Sequence, residues 1–297
     1  MKVHTIDLCF KGNNYGIAAF LVEYEAGIIL VETGPHSTYD TLEKGIRDIG
    51  YQVEDISHVL LTHIHLDHAG AAWVFAEKGA NIYLHPVGYR HMHDPSKLLA
   101  SAQRIYGDQM DALWGTLKPI PAAQLHTMEH EQELTLDNLT FVAHYTPGHA
   151  THHIAWQLRN VLFAGDVAGI RVNQGPVIPP TPPPDIHIEH WIESIDHLLT
   201  INEIDTYYLT HFGKATGVKE HMTELKATLH KYANFFKEPC EQGKSVESLL
   251  PSFQQFVREH LISLGVKDQD LDVYEYANPS VFSAYGLMRY WKKKMAE

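Results

Sequence analysis

The pattern of hydrophobic and polar positions divides the chain into a strand-rich first two thirds and a helical last third. Short apolar runs bounded by Gly, Asn or Glu-Ala-Gly turns predict strands at 3–10, 17–24 and 27–32, which begin a sheet as a meander. Further strands are predicted at 59–62, 81–85, 133–136, 139–145, 154–158, 161–164 and 206–209.

Helical spacing of apolar residues accounts for most of the remaining chain. Helices are predicted at 38–49, 69–78, 86–117 with a restart at Pro95, 187–200, 218–237, 245–264 and 279–294. The insertion at about 86–118 carries Tyr106, Met110 and Trp114 at helical spacing, which fits either core packing or a lid over a site. The Pro-rich run 175–184 is either a linker or a stiff loop that frames a site.

A cluster of metal-binding side chains directly follows the predicted strand 59–62. It comprises His63, His65, Asp67 and His68, within nine residues that end at Gly70. Alternation in an extended segment points His63 and His65 to one side, and the next turn brings Asp67 and His68 round. With 22 histidines in the chain, some clustering is expected by chance. Three imidazoles and a carboxylate at one strand-to-helix junction nevertheless predict a site for two metals.

Three later segments also place a metal-binding side chain at the end of a strand or at a sheet edge. A Thr-Pro-Gly turn places His149 at a sheet edge, an apolar strand ends in Asp166, and another ends in His211. A buried carboxylate at position 166 would be costly without a cation, so Asp166 fits a ligand shared by two metals, with a helix cap as the alternative.

Other histidines near these positions are not expected to bind metal directly. His152 and His153 begin the next strand, and His91 and His93 fall in a helical pattern where alternate residues diverge. We expect none of the four to bind a metal directly, and we expect His91 and His93 to lie on the surface or behind the ligands.

Composition excludes several classes of function. Lys and Arg total 23 against 36 Asp and Glu, and the resulting net charge of −13 counts against nucleic acid as a substrate while leaving room for a local basic patch. No apolar run reaches the length of a membrane span, and the start of the chain does not resemble a signal peptide. Cys9 and Cys240 lie far apart, so we expect no disulfide framework and a cytoplasmic setting.

These motifs resemble those of the metallo-β-lactamase fold superfamily over about residues 1–215, most closely its glyoxalase II-like and lactonase-like hydrolases. The resemblance implies an α+β fold, a four-layer αβ/βα sandwich with metals at one edge of its sheets. It also implies that His63, His65 and His149 hold the first metal, that Asp67, His68 and His211 hold the second, and that Asp166 bridges them.

The sequence departs from these relatives at two positions near the motifs. Gly169 stands where lactonases have a Tyr three residues after the bridging Asp, and Glu32 replaces the Asp that usually ends the third strand. We expect the longer Glu32 carboxylate to orient the metal loop.

The sequence therefore predicts a metallo-hydrolase with a catalytic domain at 1–216 and a helical region at 217–297. The helical region either packs on its own domain or forms a homodimer seam. Two divalent metals, Zn first with Fe or Mn also compatible, would supply hydroxide at neutral pH, with Asp67 as the proton-handling residue. The expected substrate is a small ester, thioester or lactone. The alternatives are a mononuclear iron enzyme of the persulfide dioxygenase type, using His63, His149 and Asp166, and a non-catalytic metal-binding module.

Overall fold

The first half of the chain forms a six-stranded mixed sheet. In the computed structural model, which describes residues 1–296, its strands follow chain order across the sheet. They are β1 (Lys2–Asp7), β2 (Ala18–Tyr24), β3 (Gly27–Val31), β4 (Ile56–Leu60), β5 (Asn81–Leu84) and β6 (Leu125–Thr127). The first three strands pair antiparallel, and β3 to β6 pair parallel, so β3 and β4 end at the same edge.

The second half forms a sheet of similar design. Its strands are β7 (Gln132–Leu136), β8 (Leu139–Tyr145), β9 (Ile154–Leu158), β10 (Val161–Phe163), β11 (Thr206–Leu209) and β12 (Gly213–Thr216), again in chain order. Only β10 and β11 pair parallel. The chain therefore reaches the same edge after each of these two strands.

Helices cover the outer face of each sheet. On the first sheet lie α1 (Tyr39–Ile49), α2 (Leu66–Ala69), α3 (Ala72–Glu77), α4 (Pro86–His93), α5 (Ser96–Tyr106) and α6 (Met110–Trp114). On the second lie α7 (Ile188–Leu199), α8 (Val218–Phe235), α9 (Lys237–Glu241), α10 (Val246–Ser263), α11 (Asp268–Ala277) and α12 (Ser280–Lys294). The predicted α+β four-layer sandwich is confirmed.

The two sheets meet across an apolar layer rich in aromatic side chains. Phe20 of the first sheet lies 5.7 Å from Phe163 and 5.4 Å from Tyr208 of the second, measured between ring centroids. Buried Trp156 of β9 donates its indole N–H to the carbonyl of Leu61 at 3.0 Å, immediately before the histidine cluster. This contact ties the second sheet to the segment that carries His63 and His65.

The helices after residue 217 share their core with the second sheet. Buried Leu225, Phe253 and Leu287 pack in one cluster with Trp191 and Tyr207. The helical region thus covers the sheet face that would otherwise be left apolar and exposed.

Several short elements were not expected from sequence. Strands β6 and β12 have three and four residues, too few for alternation to show, and they form by pairing with β5 and β11. Helix α11 is rich in Asp and buries only Leu271 and Tyr274, so tertiary packing stabilises it where periodicity gives little signal.

No helix within residues 1–296 combines the length and apolar character needed to cross a bilayer.

The aromatic layer between the sheets leads to a stability prediction. Phe163→Ala should lower the free energy of unfolding by about 3–5 kcal/mol, because a fully buried ring is lost between two sheets that cannot close the gap. The exposed Ile262→Ala serves as the control and should change it by about 0.5 kcal/mol or less. Guanidinium unfolding followed by circular dichroism measures both, and equal midpoints would contradict the assignment of this core.

Candidate metal centre

The seven residues singled out from the sequence lie together at one edge of the sandwich. His63 and His65 follow β4, Asp67 and His68 lie in the first turn of α2, and the other three follow separate strands. Those three are His149 after β8, Asp166 after β10 and His211 after β11. The fold therefore gathers segments up to 148 positions apart at the ends of its inner strands.

His63, His65 and His149 form a first group of converging imidazoles. His65 Nδ1 lies 3.0 Å from His63 Nε2 and 3.0 Å from His149 Nε2. His149 Nδ1 donates to the carbonyl of Pro180 at 2.9 Å, which leaves a lone pair on its Nε2. Burial lowers the pKa of His65 to about 4 and that of His63 well below its usual value, with neighbouring imidazoles adding to the shift. The three rings are neutral donors, as metal ligation requires.

Asp67, His68 and His211 form a second group. The Oδ2 atom of Asp67 lies 3.5 Å from His211 Nε2 and 3.8 Å from His68 Nε2. His211 Nδ1 donates to the carbonyl of Gly16 at 2.7 Å, so its Nε2 points inward, 3.5 Å from both Asp67 Oδ2 and Asp166 Oδ1. Burial disfavours a charge on His68, yet the carboxylates of Asp166 and Glu32 outweigh it and raise the His68 pKa well above its usual value.

Asp166 lies between the two groups and faces each with a different oxygen. Its Oδ2 is 3.3 Å from His149 Nε2, whereas its Oδ1 is 3.3 Å from His68 Nε2 and 3.5 Å from His211 Nε2. Although burial raises the pKa of this carboxyl, the surrounding imidazoles, His68 foremost, hold it well below the usual range. The alternative of a helix-capping role for Asp166 is not what the structure shows, because its carboxylate is turned toward the imidazoles.

Two atoms at the centre of the cluster have no hydrogen-bond partner. They are His68 Nε2 and Asp166 Oδ1, both fully buried, which face each other at 3.3 Å without the geometry of a hydrogen bond. Orphaned buried donors and acceptors are rare and costly in folded proteins. A divalent cation bound to both atoms would satisfy them, and the N and O donor set suits Zn, Fe or Mn.

Glu32 supports this arrangement from behind. The side chain is fully buried, accepts a hydrogen bond from Thr62 Oγ1, and lies 3.0 Å from His68 Nδ1. An N–H on Nδ1 that points at a carboxylate leaves Nε2 free to face Asp166. The structure thus places Glu32 where the sequence analysis expected a residue that orients the metal loop.

His153 makes a supporting contact that nothing in the sequence predicted. Its Nε2 accepts from the backbone N–H of Asp166 at 3.1 Å, while its Nδ1 lies 2.7 Å from Thr146 Oγ1. The spacing of residues along the sequence cannot indicate this contact, because it joins the segment before β9 to the segment after β10. Of the remaining histidines, His152 lies 6.0 Å from His63 ring to ring. His91 and His93 lie on α4 and belong to none of the candidate metal groups found among the described residues.

A cavity of about 490 Å³ opens onto His65, Asp67, His149, Asp166 and His211. Four segments form its walls: the loop 10–17, the insertion 98–114, the Pro-rich run 180–184, and the junction of α11 and α12 at 276–282.

The insertion both packs in the core and covers the site. Ala102 and Met110 are buried against the first sheet, whereas Tyr106 and Trp114 line the cavity. The Pro-rich run frames the site, because Pro180 accepts the hydrogen bond of His149 and its neighbours line the cavity.

The family model of the Metallo-beta-lactamase superfamily matches residues 12–211, about two thirds of the chain and all seven residues of the cluster. The chain belongs to this superfamily. The branch within it stays a prediction.

Two curated relatives and one solved structure illustrate the similarity. A metallo-beta-lactamase fold-containing protein from Sulfurisphaera tokodaii is 31% identical over 52% of this chain and 59% of its own length. A probable metallo-hydrolase from Mycobacterium tuberculosis is 31% identical over 26% of this chain, which spans only 33% of that relative. The structure of a metallo-beta-lactamase family protein from Thermus thermophilus superposes with a TM-score of 0.68 at 19% identity, covering 99% of this chain and 94% of the other. The last comparison concerns the fold alone.

Glu32 provides a test of how the cluster is oriented. Glu32→Gln should weaken metal binding at the Asp67, His68 and His211 group by about 10–100-fold, because the amide no longer holds the His68 ring as a carboxylate does. Competition with a chromogenic chelator measures the affinity. Glu23→Gln, which removes a carboxylate on the neighbouring strand that contacts His4, is the matched control and should leave the affinity unchanged. Equal affinities for the two variants would contradict this role.

Proposed function

We propose that the chain is a dinuclear metal-dependent hydrolase of a small ester, thioester or lactone. In this proposal His63, His65 and His149 hold the first metal, Asp67, His68 and His211 hold the second, and Asp166 bridges them. The observation that carries the proposal is the orientation of Asp166, whose two oxygens face different histidine groups 3.3 Å away. One metal held by the first group would use only Asp166 Oδ2 and leave Oδ1 facing His68 and His211, whereas two metals would use both oxygens.

The metals, when bound, would activate water and polarise the scissile carbonyl. The residues of the chain transfer the proton and form the walls around the reacting groups. Asp67 is ionised: burial raises its pKa, but His68 and His211 outweigh burial and hold the pKa below the usual range. Its carboxylate lies at the cavity wall, where it can take a proton from the attacking water and return it to the leaving group. The apolar walls from the insertion and the Pro-rich run lie beside these groups, where they would limit the access of bulk water.

Several features support a small-molecule substrate. The cavity has the volume of a ligand pocket, and its walls are mainly apolar and aromatic, with the polar groups gathered at the metal centre. Proteins named probable metallo-hydrolases are among the relatives. Both cysteines are free, which agrees with the cytoplasmic setting that we propose.

Metal content provides the most direct test. The purified, untagged chain should contain about two metals and His211→Ala about one, because His211 belongs only to the second group. His230→Ala, at an exposed position on α8, is the control for loss of a surface histidine and should keep the parental content. Elemental analysis by inductively coupled plasma mass spectrometry measures all three.

A different metal content would favour the runner-up. A single iron that His211→Ala retains would contradict the dinuclear proposal and support the persulfide dioxygenase alternative. Oxygen uptake with a persulfide substrate would then be the decisive assay.

Asp67 provides the test of chemistry. Asp67→Asn should lower kcat/KM for a hydrolysed ester by about 10²–10⁴-fold, since the amide cannot accept the proton. Asp48→Asn, an exposed carboxylate on α1 that pairs with Lys44, should leave the rate unchanged. Steady-state kinetics should be read together with metal content. Full activity in a metal-loaded Asp67→Asn variant would remove Asp67 from the mechanism.

A further inference from the structure

A second, larger pocket adjoins the site cavity. It has a volume of about 860 Å³ and is lined by α5, the Pro-rich run, the start of α10 and the outer side of α12. The two spaces share Ile105, Pro183, Val281 and Phe282 as lining residues. The two spaces therefore lie side by side along these four mainly apolar side chains.

The second pocket is rich in cations. Four basic side chains line it, namely Arg104, Arg289, Lys292 and Lys293, and we call it the cation pocket. Within the described chain, Glu247 is the only acidic residue among its lining residues, and it accepts a hydrogen bond from Tyr285 at 2.7 Å. The pocket is therefore a positive region on a chain whose net charge is −13.

The cations come from distant parts of the sequence. Arg104 lies on the insertion, whereas the other three lie on the last helix, about 185 positions later. Arg289 Nε and Lys293 Nζ each donate to the carbonyl of Pro184 at 3.2 Å, which holds the helix against the Pro-rich run. A helix end whose lysines are only solvated does not require a contact with the Pro-rich run. It also does not require a nearby arginine from α5.

Cationic groups that converge in a cleft attract anions and increase the rate at which they bind. Arginine and lysine together suit phosphate groups, because the guanidinium provides paired N–H donors and the ammonium a compact charge. The apolar stretch between the cation pocket and the metal centre suits a part of the ligand that carries no charge.

We infer that the substrate is an ester or thioester with a phosphate-bearing end, which binds in the cation pocket while the scissile bond reaches the metal centre. This inference rests on the proposed function and specifies its substrate class. In the reaction, water adds its hydroxyl group to the acyl carbon, the carbon–sulfur or carbon–oxygen bond breaks, and the leaving thiol or alcohol takes the remaining proton.

A matched pair of thioesters tests the inference on the metal-loaded full chain. Butanoyl-coenzyme A carries phosphates, and the N-acetylcysteamine thioester of the same acyl group carries none. The ratio of their kcat/KM values should be about 100 at low salt and fall as salt screens the pocket. Arg104→Gln or Lys292→Gln should lower this ratio about tenfold, and Arg104→Lys should restore much of it. Lys219→Gln, an exposed lysine on α8, should leave the ratio unchanged.

The outcomes separate this inference from the proposed function. If both thioesters are hydrolysed with similar kcat/KM, the hydrolase proposal stands and the anion site is wrong. If neither is hydrolysed, calorimetry with adenosine 3′,5′-bisphosphate decides the anion site alone. Binding that Arg104→Gln weakens about tenfold would support it, and binding that is absent or equal in the variant would overturn it. Thermal unfolding of each variant confirms that the fold is intact.

Discussion

The carboxylate of Asp166 imposes the strictest physical requirement on this structure. It is almost fully buried, and an ionised carboxylate in such a place is very costly unless opposite charge or strong donors surround it. The chain surrounds this carboxylate with imidazoles. Although burial disfavours their charged forms, the Asp166 carboxylate raises the pKa of His68 and of His211, and these two rings offset its charge. His153 adds a hydrogen bond at the Asp166 backbone, which fixes the turn that presents the carboxylate. His68, His149 and His211 each have a ring nitrogen within 3.5 Å of this one buried group.

The sandwich makes such a convergence possible. Aromatic packing between Phe20, Phe163 and Tyr208 fixes the spacing of the two sheets, and the indole of Trp156 ties β9 to the segment before His63. Protein interiors are close-packed, so these contacts hold the loop ends within a narrow range of positions. Residues behind the site are held as firmly, as the full burial of Glu32 beside Thr62 and His68 indicates.

The space beside the metal centre has two zones of different chemistry. Near the cluster of histidines and aspartates the walls are mainly apolar and come from all parts of the chain, including Tyr276 and Phe282 of the last third. Farther out, Arg104 meets the basic end of α12. The C-terminal helices therefore complete the second sheet's core and also line both spaces.

Sequence alone determined most of the candidate metal centre. His63, His65, Asp67 and His68 are close in the chain, and the strand before them fixes their local geometry, so a short-range pattern sufficed. His149 could be found from the Thr-Pro-Gly turn before it, and Asp166 and His211 because each ends an apolar strand; these are also local signals. The resemblance to the superfamily then grouped them, and most strand and helix positions followed from periodicity.

Tertiary structure decided what depends on contacts between distant segments. Periodicity cannot show that His153 holds the backbone of Asp166, that Glu32 faces His68 across the sheet, or that β6 and β12 form only by pairing. In the sequence the run of basic residues after Arg289 resembles an ordinary solvated helix end. Only the folded chain brings Arg104 beside it, because the insertion and the last helix pack at the same side of the site. Local patterns record which groups a chain carries, whereas packing decides which of them meet.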